Sequence, residues 1–591
     1  MLLRRTGYLL TRSKMSVTGV WFRKGLRLHD NLPLLAACEE EQKRGGSIVP
    51  FFVLDTQTLD PRVGPHRYAF ILECLSDLDA QLRQKYNSRL LVFKGKPDEV
   101  VAALMTPPGA KRTSSSGAKT GRRELLPKEV GNLCLQRVFY EYDSEPKFAE
   151  FDAVLKPCAE ANDVQYKSYP GHTILDLEKA KPAVLEGKGG GVYGKRPYDM
   201  KMIQEFMRVQ LGSKSVDSLD VPQPKPAPTK IPGLPKGVPM KGGDLDVPPV
   251  QKLFPKHEFS KIREKEFPGG EREALKRLAA CCKDVDYISK FEKPKTSSTN
   301  GGRAGSSPGV DKWHQPATTG LSAYMKFGAL SVRQFWHAVN DCYAKRKGQH
   351  AKPPMSLHGQ LYFREMFYVL SVTVPNWDQA SGNMMCKDIA WDAKDSKKLK
   401  AWEEGKTGYP YIDALMRQLR STGWMHHLGR HAVSCFLTRG DLYQHWMHGR
   451  DVFDYYLIDA DWALNNGNWL WLAGVAPFSM PFFRVYHPAP GKDSALNAEP
   501  TGDFIRYWVP ELKNFPSKFI HRPWEAPQLA QVQAKCVIGK DYPKPIVEHK
   551  QAQERNLSAF KKSSDSLKSG GSSLKRPASG GSPGAAKKMK K

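Results

Sequence analysis

The sequence predicts a two-domain protein: a doubly wound parallel α/β sheet followed by an all-helical domain. Three observations carry this. From Val17 to about Ser168, short apolar runs alternate with helical patterns, the signature of parallel strands joined by helices. Residues 181–255 are rich in Pro, Gly and Lys and show no sustained periodicity, as expected of a chain passing between domains. From about Phe259 to about Ile538 the pattern is helical, punctuated by Pro and Gly, with few β-branched runs.

The elements follow in order. Residues 1–14 carry four basic side chains and no acid, the composition of an organelle transit peptide, with Met15 as an alternative start, so 1–16 is set apart as a leader. Residues 17–170 form the α/β domain, its strands expected in VTGVWF, SIVPFFVLD, RLLVF, QRVFYEY and VQYKSY. Pro33 and Pro97 stand where first helical turns belong, and Asp30 and Asn31 are candidates to cap the first helix. After strand one the chain reads RKGLRLHDN, without the G-x-G-x-x-G of a dinucleotide turn, so any ligand of this sheet belongs in the crevice at the carboxyl ends of its strands. Residues 106–123 interrupt the pattern with Ser, Gly and Lys and read as a disordered insertion. Residues 171–255 are the interdomain linker, and 256–550 the helical domain, with a second Ser/Gly insertion at 293–316. The segment 551–591 is expected as a disordered basic tail: from Lys561 onward it holds nine Lys or Arg against one Asp. Lys575-Arg576 and a terminal KKMKK have the spacing of a two-part nuclear import signal, and a basic tail also suits DNA.

A formal charge of +29 and a pI near 9.5 make a polyanion, nucleic acid first, the expected partner. Ten cysteines without a CxxC pair or regular spacing read as reduced thiols. No apolar run approaches the length of a membrane span. EEGKTG at 403–408 lacks the first Gly of a phosphate loop, since position 400 is Lys400. Chemistry concentrates in 413–471, read as one continuous helical stretch. His427 and His431 are four apart, as are Asn465 and Trp469, and Tyr443 and Trp446 are three apart, spacings that set side chains side by side on a helix. His427, His431 and Cys435 also fit a zinc ladder, but no fourth ligand is evident and no metal is assigned. Asn465 and Asn466 beside Trp469, close after Asp459 and Asp461, suit a flat polar ligand better than a plain core.

LHDNLPL (28–34), LSAYMKFGALS (321–331), the run 402–433 and DADWALNNGNWLWLAG (459–474) resemble the cryptochrome and photolyase flavoprotein family, over about residues 17–550. HHLGRHAVSCFLTRGDLY with LNNGNW is similar to the (6-4) photolyases and animal-like cryptochromes. The resemblance implies FAD bent into a U within the helical domain and an antenna chromophore in the α/β domain, 8-hydroxydeazaflavin by analogy, methenyltetrahydrofolate as the alternative. It places Thr318, Thr319, Leu321 and Ser322 at a phosphate-binding turn, and Gln360 and Arg364 in the flavin pocket. Arg430 and Asp459 match a salt bridge over the isoalloxazine, Asp461 a backbone contact at the flavin edge, and Asn465 the residue facing flavin N5. Trp469, Trp446 and Trp391 match an electron-transfer chain from inside to surface, with Tyr443 similar to an extra terminal donor. Phe363 departs from the Trp of most relatives.

The expected function is light-driven repair of (6-4) photoproducts in duplex DNA, a carbon–carbon lyase reaction, by an electron from photoexcited reduced FAD. His427 or His431 is the expected proton donor, because the unperturbed imidazole exchanges protons near neutrality. The alternative is an FAD-binding photoreceptor with a signalling or circadian role, using its tail to engage protein partners. A nucleus-located monomer is expected, with a dimer, the cytoplasm or an organelle as alternatives.

Overall fold

The computed structural model describes residues 16–55, 60–110, 122–187, 193–257, 267–296, 298, 318–490 and 501–569. The leader, most of both Ser/Gly insertions and residues 570–591 lie outside the described residues.

All five expected strands form: β1 Val17–Trp21, β2 Ser47–Leu54, β3 Leu91–Lys94, β4 Arg137–Glu141 and β5 Gln165–Tyr169. They make one parallel sheet in the order β3-β2-β1-β4-β5, so the chain winds outward from β1 in both directions. The crossovers are α1 (Leu32–Arg44), α2 (Pro65–Tyr86), α3 (Pro97–Met105) and α4 (Pro146–Ala161). Asn31 caps α1 by accepting from the Leu34 N–H, and Pro33 and Pro97 occupy first turns. Asp30 does not cap. It is fully buried and takes the Arg333 guanidinium through both oxygens at 2.7 and 3.0 Å, tying strand one's loop to the helical domain.

Residues 181–255 are more ordered than their composition suggests. α5 (Leu177–Leu185) runs into them, α6 (Met200–Leu211) lies within them, and the short α7 (Val250–Leu253) ends them. α6 buries Ile203 and Met207, one helical turn apart, and this pair anchors the segment where Pro and Lys dominate elsewhere.

The helical domain comprises α8 (Glu271–Lys283), α9 (Val285–Lys290), α10 (Ser322–Lys326), α11 (Val332–Lys345), α12 (Leu357–Thr373), α13 (Ser396–Glu404), α14 (Pro410–Thr422), α15 (His427–Cys435), α16 (Trp446–Tyr456), α17 (Trp462–Ala473), α18 (Asp503–Trp508), α19 (Gln528–Gln533) and α20 (His549–Ser569). The stretch 413–471 is therefore not continuous. Gly423 ends α14 in the left-handed conformation, a π turn at Phe436–Gly440 follows α15, Tyr443 has a positive φ, and Asp461 begins α17.

The segment 551–569 is likewise not disordered: it is most of α20, and Phe560 and Asn556 are buried at 1% and 0% exposure. Phe560 stacks on Phe482 at 5.0 Å, Asn556 donates to the Gly440 carbonyl, and His549 Nδ1 meets Asp441 at 2.7 Å. A few well-placed contacts dock a helix whose overall composition is polar.

One face of the sheet packs Trp21, Phe51, Phe93 and Leu104 into a small core of its own. The other face, with Val20, Ile48, Val92 and Phe139, shares one continuous core with the helical domain. The two backbones approach closely where Leu26 N–H donates to the Phe327 carbonyl at 3.1 Å. Gly328, at φ 65°, allows this: a Cβ there would fall 2.7 Å from the Gly25 Cα.

Candidate functional site

α17 is the element around which the site is built. Its N-cap, Asp461, accepts from the Ala463 and Leu464 amides through Oδ1, while Oδ2 accepts the Tyr368 hydroxyl at 2.7 Å. Lys326 at 3.4 Å and Lys24 at 3.9 Å surround the same carboxylate. These cations hold Asp461 below the usual carboxylate range although burial acts against it. Lys24 also pairs with Asp143 at 3.0 Å, and Lys326 with Glu145. Just past the carboxyl ends of β1 and β4, this ion network ties α17 to the α/β domain.

Beyond its cap, α17 directs Asn465 and Trp469 inward. Asn465 spends both amide hydrogens, on the Arg450 carbonyl at 3.1 Å and on Asp454 Oδ1 at 2.9 Å. Asn466 does not join the site: it accepts from Arg450 at 2.6 Å and donates back to the Trp462 carbonyl.

Two chambers meet beneath α17. The first is lined by Ser322, Arg364, His427, Arg430, His431, Asp459, Asp461, Asn465 and Trp469. The second is lined by Thr318, Thr319, Leu321, Ser322, Gln360, Phe363, Arg364 and His427. They adjoin at Met325, Arg364, Leu464 and Asn468, which lie on both. Every cofactor-binding residue expected from the sequence lies on one wall or the other. Arg430 Nη2 donates to Asp459 Oδ2 at 2.9 Å, and the Ser322 hydroxyl donates to the same oxygen at 2.7 Å. Arg364 is held by Glu365 at 3.1 Å and by the His172 carbonyl, with its guanidinium over the Tyr368 ring. Gln360 turns its amide N–H toward the Pro354 carbonyl at 3.1 Å.

His427 and His431 face each other along α15 with ring centroids 5.8 Å apart, and His431 Nδ1 lies 3.4 Å from the Tyr486 hydroxyl. Their expected titration near neutrality is corrected by the structure. Burial pushes both imidazoles well below their usual range, His426 adds to this for His427, and Lys293 does so for His431. Lys293 itself was assigned to an insertion, yet it lines both chambers, and burial followed by Arg430 pushes its ammonium down to about 8. Lys293, Tyr486, Lys326 and Asp454 are the site residues that sequence reading missed. The conspicuous Ser/Gly run that follows masked Lys293, Lys326 and Tyr486 are distant in sequence from Asp461 and His431, and Asp454 sits off the helical spacing of Asn465. Among the described residues no group of three His, Cys, Asp or Glu side chains is placed to hold a metal ion.

Behind Trp469 lies an aromatic path. Trp469 and Trp446 are fully buried on α17 and α16, while Trp391 is partly exposed in the loop before α13. Tyr443 does not share a helical face with Trp446. It sits before α16 with its ring 5.1 Å from Trp391, and it is buried at 1% exposure beneath Arg555 of α20, which pairs with Asp392.

Two polar atoms test what the chambers suit. Asp459 Oδ1 and His427 Nε2 are buried and have no hydrogen-bond partner among the described residues, a deficit that a polar ligand removes. A space walled by the hydroxyl-bearing Thr318, Thr319 and Ser322, by two arginines and by an amide and an indole suits a large polar ligand with a flat ring system. Fold and site thus define a two-domain protein whose helical half holds a polar and aromatic cavity suited to a large ligand with a flat ring.

Comparison with known proteins agrees. Residues 356–562 match the family profile described as the FAD binding domain of DNA photolyase, and residues 18–113 that of DNA photolyase. The chain is 39% identical to a (6-4) DNA photolyase of Oryza sativa subsp. japonica over 547 residues, 90% of this chain and 87% of that one. It is 38% identical to Cryptochrome-1 of Gallus gallus over 554 residues, 93% of this chain and 78% of that one. Among solved structures, a class III photolyase from Agrobacterium tumefaciens matches with a TM-score of 0.71 and 26% identity, over 95% of this chain and 100% of the other. The chain belongs to the photolyase and cryptochrome family, and its helical half carries that family's FAD-binding domain.

Proposed function

We propose that this protein repairs (6-4) photoproducts in DNA with light. The observation that carries the reading is the His427–His431 pair, set edge to face on the wall of the chamber that Asn465 and Trp469 also line, with Tyr486 within reach of His431. When bound, reduced FAD supplies the photoexcited electron, and the chain supplies everything else. The basic surface engages the duplex backbone, and a damaged pair, already poorly stacked, leaves the helix at reduced cost. Arg430 and Ser322 fix Asp459, and the Lys24–Lys326–Asp461 network fixes α17, so Asn465 and Trp469 keep their positions through turnover. Both imidazoles rest neutral, so a proton moves onto one of them only once the anionic lesion enters and offsets Lys293 and Arg430. Coupling protonation to lesion entry keeps the acid ready only when substrate is present. An antenna in the α/β domain, 8-hydroxydeazaflavin ahead of methenyltetrahydrofolate, belongs to the proposal by analogy.

A photoreceptor role is the second reading, favoured by the burial of Tyr443 beneath α20, which puts the outer end of the aromatic path under the C-terminal helix. The test is a light-dependent repair assay that offers (6-4) and cyclobutane lesions separately to FAD-loaded protein. Removal of the (6-4) lesion alone supports repair. Absence of repair by reduced, lesion-bound protein moves the assignment to the receptor.

A further inference from the structure

The outer half of the aromatic path contains a ring that the site residues named so far do not include. His445 is the N-cap of α16, and its Nδ1 accepts from the Met447 N–H at 3.2 Å. An acceptor at Nδ1 leaves the imidazole proton on Nε2. The ring lies 5.7 Å from Trp446, near parallel at 29°, and 6.2 Å from Trp391 at 66°. Among the described residues it is the one ring in contact with both indoles. The other ring neighbours of Trp391 are Tyr443 and Phe560, and Trp446 otherwise carries the Arg450 guanidinium at 5.7 Å.

We propose that His445 is a positioning residue of the electron relay, a neutral aromatic bridge through which Trp391 passes an electron to oxidised Trp446. The inference rests on the light-driven flavin chemistry proposed above. The step moves one electron: Trp391 is oxidised and Trp446 returns to its neutral state. The electron that Trp446 lacks would have refilled Trp469, and FAD bound in its oxidised form would be the acceptor at the inner end, the reduction that readies it for repair. The imidazole itself is neither oxidised nor protonated.

Neutrality matters because an imidazolium touching both indoles would oppose positive charge on either. The surroundings favour the neutral form. His448 and Arg450 of α16 face the ring, and Asp388, in the loop before α13, opposes them. Burial first, then His448, push the imidazole down to about 4. The N-cap bond acts in the same direction, since protonating Nδ1 would break it.

Two substitutions separate bridge from cap. In His445→Asn the side-chain oxygen replaces the cap acceptor but the ring is gone, while His445→Phe keeps a ring and loses the cap. Both are measured as FAD-loaded protein, by transient absorption of the tryptophan and tyrosine radicals and by melting temperature. His445→Asn is expected to melt with wild type and lose the long-lived radical, because the positive charge stays near the flavin and recombines. His445→Phe is expected to melt lower and keep that radical. In the protein without flavin, the His445 imidazole proton signal is expected to stay at its neutral position from pH 6 to 8. A wild-type radical lifetime in His445→Asn overturns the bridge, and loss of the radical in His445→Phe alone assigns the effect to the cap. A charged His445 at pH 7 overturns it too. Absence of any tryptophan radical in illuminated wild type instead overturns the flavin reading, and the bridge with it.

Discussion

Gly449 offers a test in which two effects of opposite sign compete. It lies inside α16, where exchanging Gly for Ala ordinarily gains about 1 kcal/mol of helix stability. Here a Cβ would fall 2.1 Å from Cη2 of Trp469 and 2.5 Å from Cδ2 of Leu437. Both neighbours are fully buried, so neither ring nor methyl can swing aside into solvent. Overpacking of this kind costs roughly 1–3 kcal/mol, and contacts this short place the site at the upper end. The net expectation for Gly449→Ala is a loss of about 2 kcal/mol, a fall of a few degrees in melting temperature. The strain is directed at Trp469, so light-driven flavin reduction should slow in the same variant. Thermal denaturation and photoreduction are measured side by side. A raised melting temperature with unaltered photoreduction would show that the ring has room and that α16 does not set its position.

Other consequences follow from the same geometry. Trp469→Phe keeps the shape of the inner side chain without its oxidisable indole, so steady-state photoreduction of FAD should fall sharply. An unchanged rate would mean that electrons enter elsewhere. The chamber histidines set the acid side of the stability profile. His427 and His431 have folded-state values depressed below the unfolded value near 6.5, so their contribution is present above that pH and lost as pH falls below it. Each adds about 1.4 kcal/mol per pH unit to the slope, and a melting temperature that stays flat from pH 7 to 5 would contradict the assignment. Removing residues 570–591 deletes six basic side chains and no acid, so nuclear accumulation should drop and the salt dependence of DNA binding should flatten by at most about 5 in slope. Unaltered localisation would refute the import-signal reading, while cutting at residue 548 should also destabilise the fold by removing α20.

What was legible in the sequence divides by the range of the forces involved. All five strands and the caps at Asn31, Pro33 and Pro97 are local matters of periodicity and turn chemistry. α6 and α20 were missed because composition argued against them. Each is held by two or three buried side chains, Ile203 with Met207 in one and Asn556 with Phe560 in the other, too few to alter an average. The residues carried over through the family words line the two chambers, yet Arg430 and Asp459 stand 29 positions apart and nothing in their spacing pairs them. Lys293 was lost to the Ser/Gly run beside it. The depressed histidines were beyond reach in principle, since sequence gives a residue's type but not its burial or the cations facing it.

The central claim is that the His427–His431 pair does chemistry rather than packing, and one comparison tests it directly. Wild type, His427→Ala and His431→Ala are loaded with FAD, photoreduced and offered a duplex with a single (6-4) lesion, and repair yield, flavin occupancy and melting temperature are recorded together. The account predicts that each substitution abolishes repair while flavin stays bound and photoreducible. Repair that persists in both variants, or is lost only in step with flavin retention and melting temperature, would contradict it.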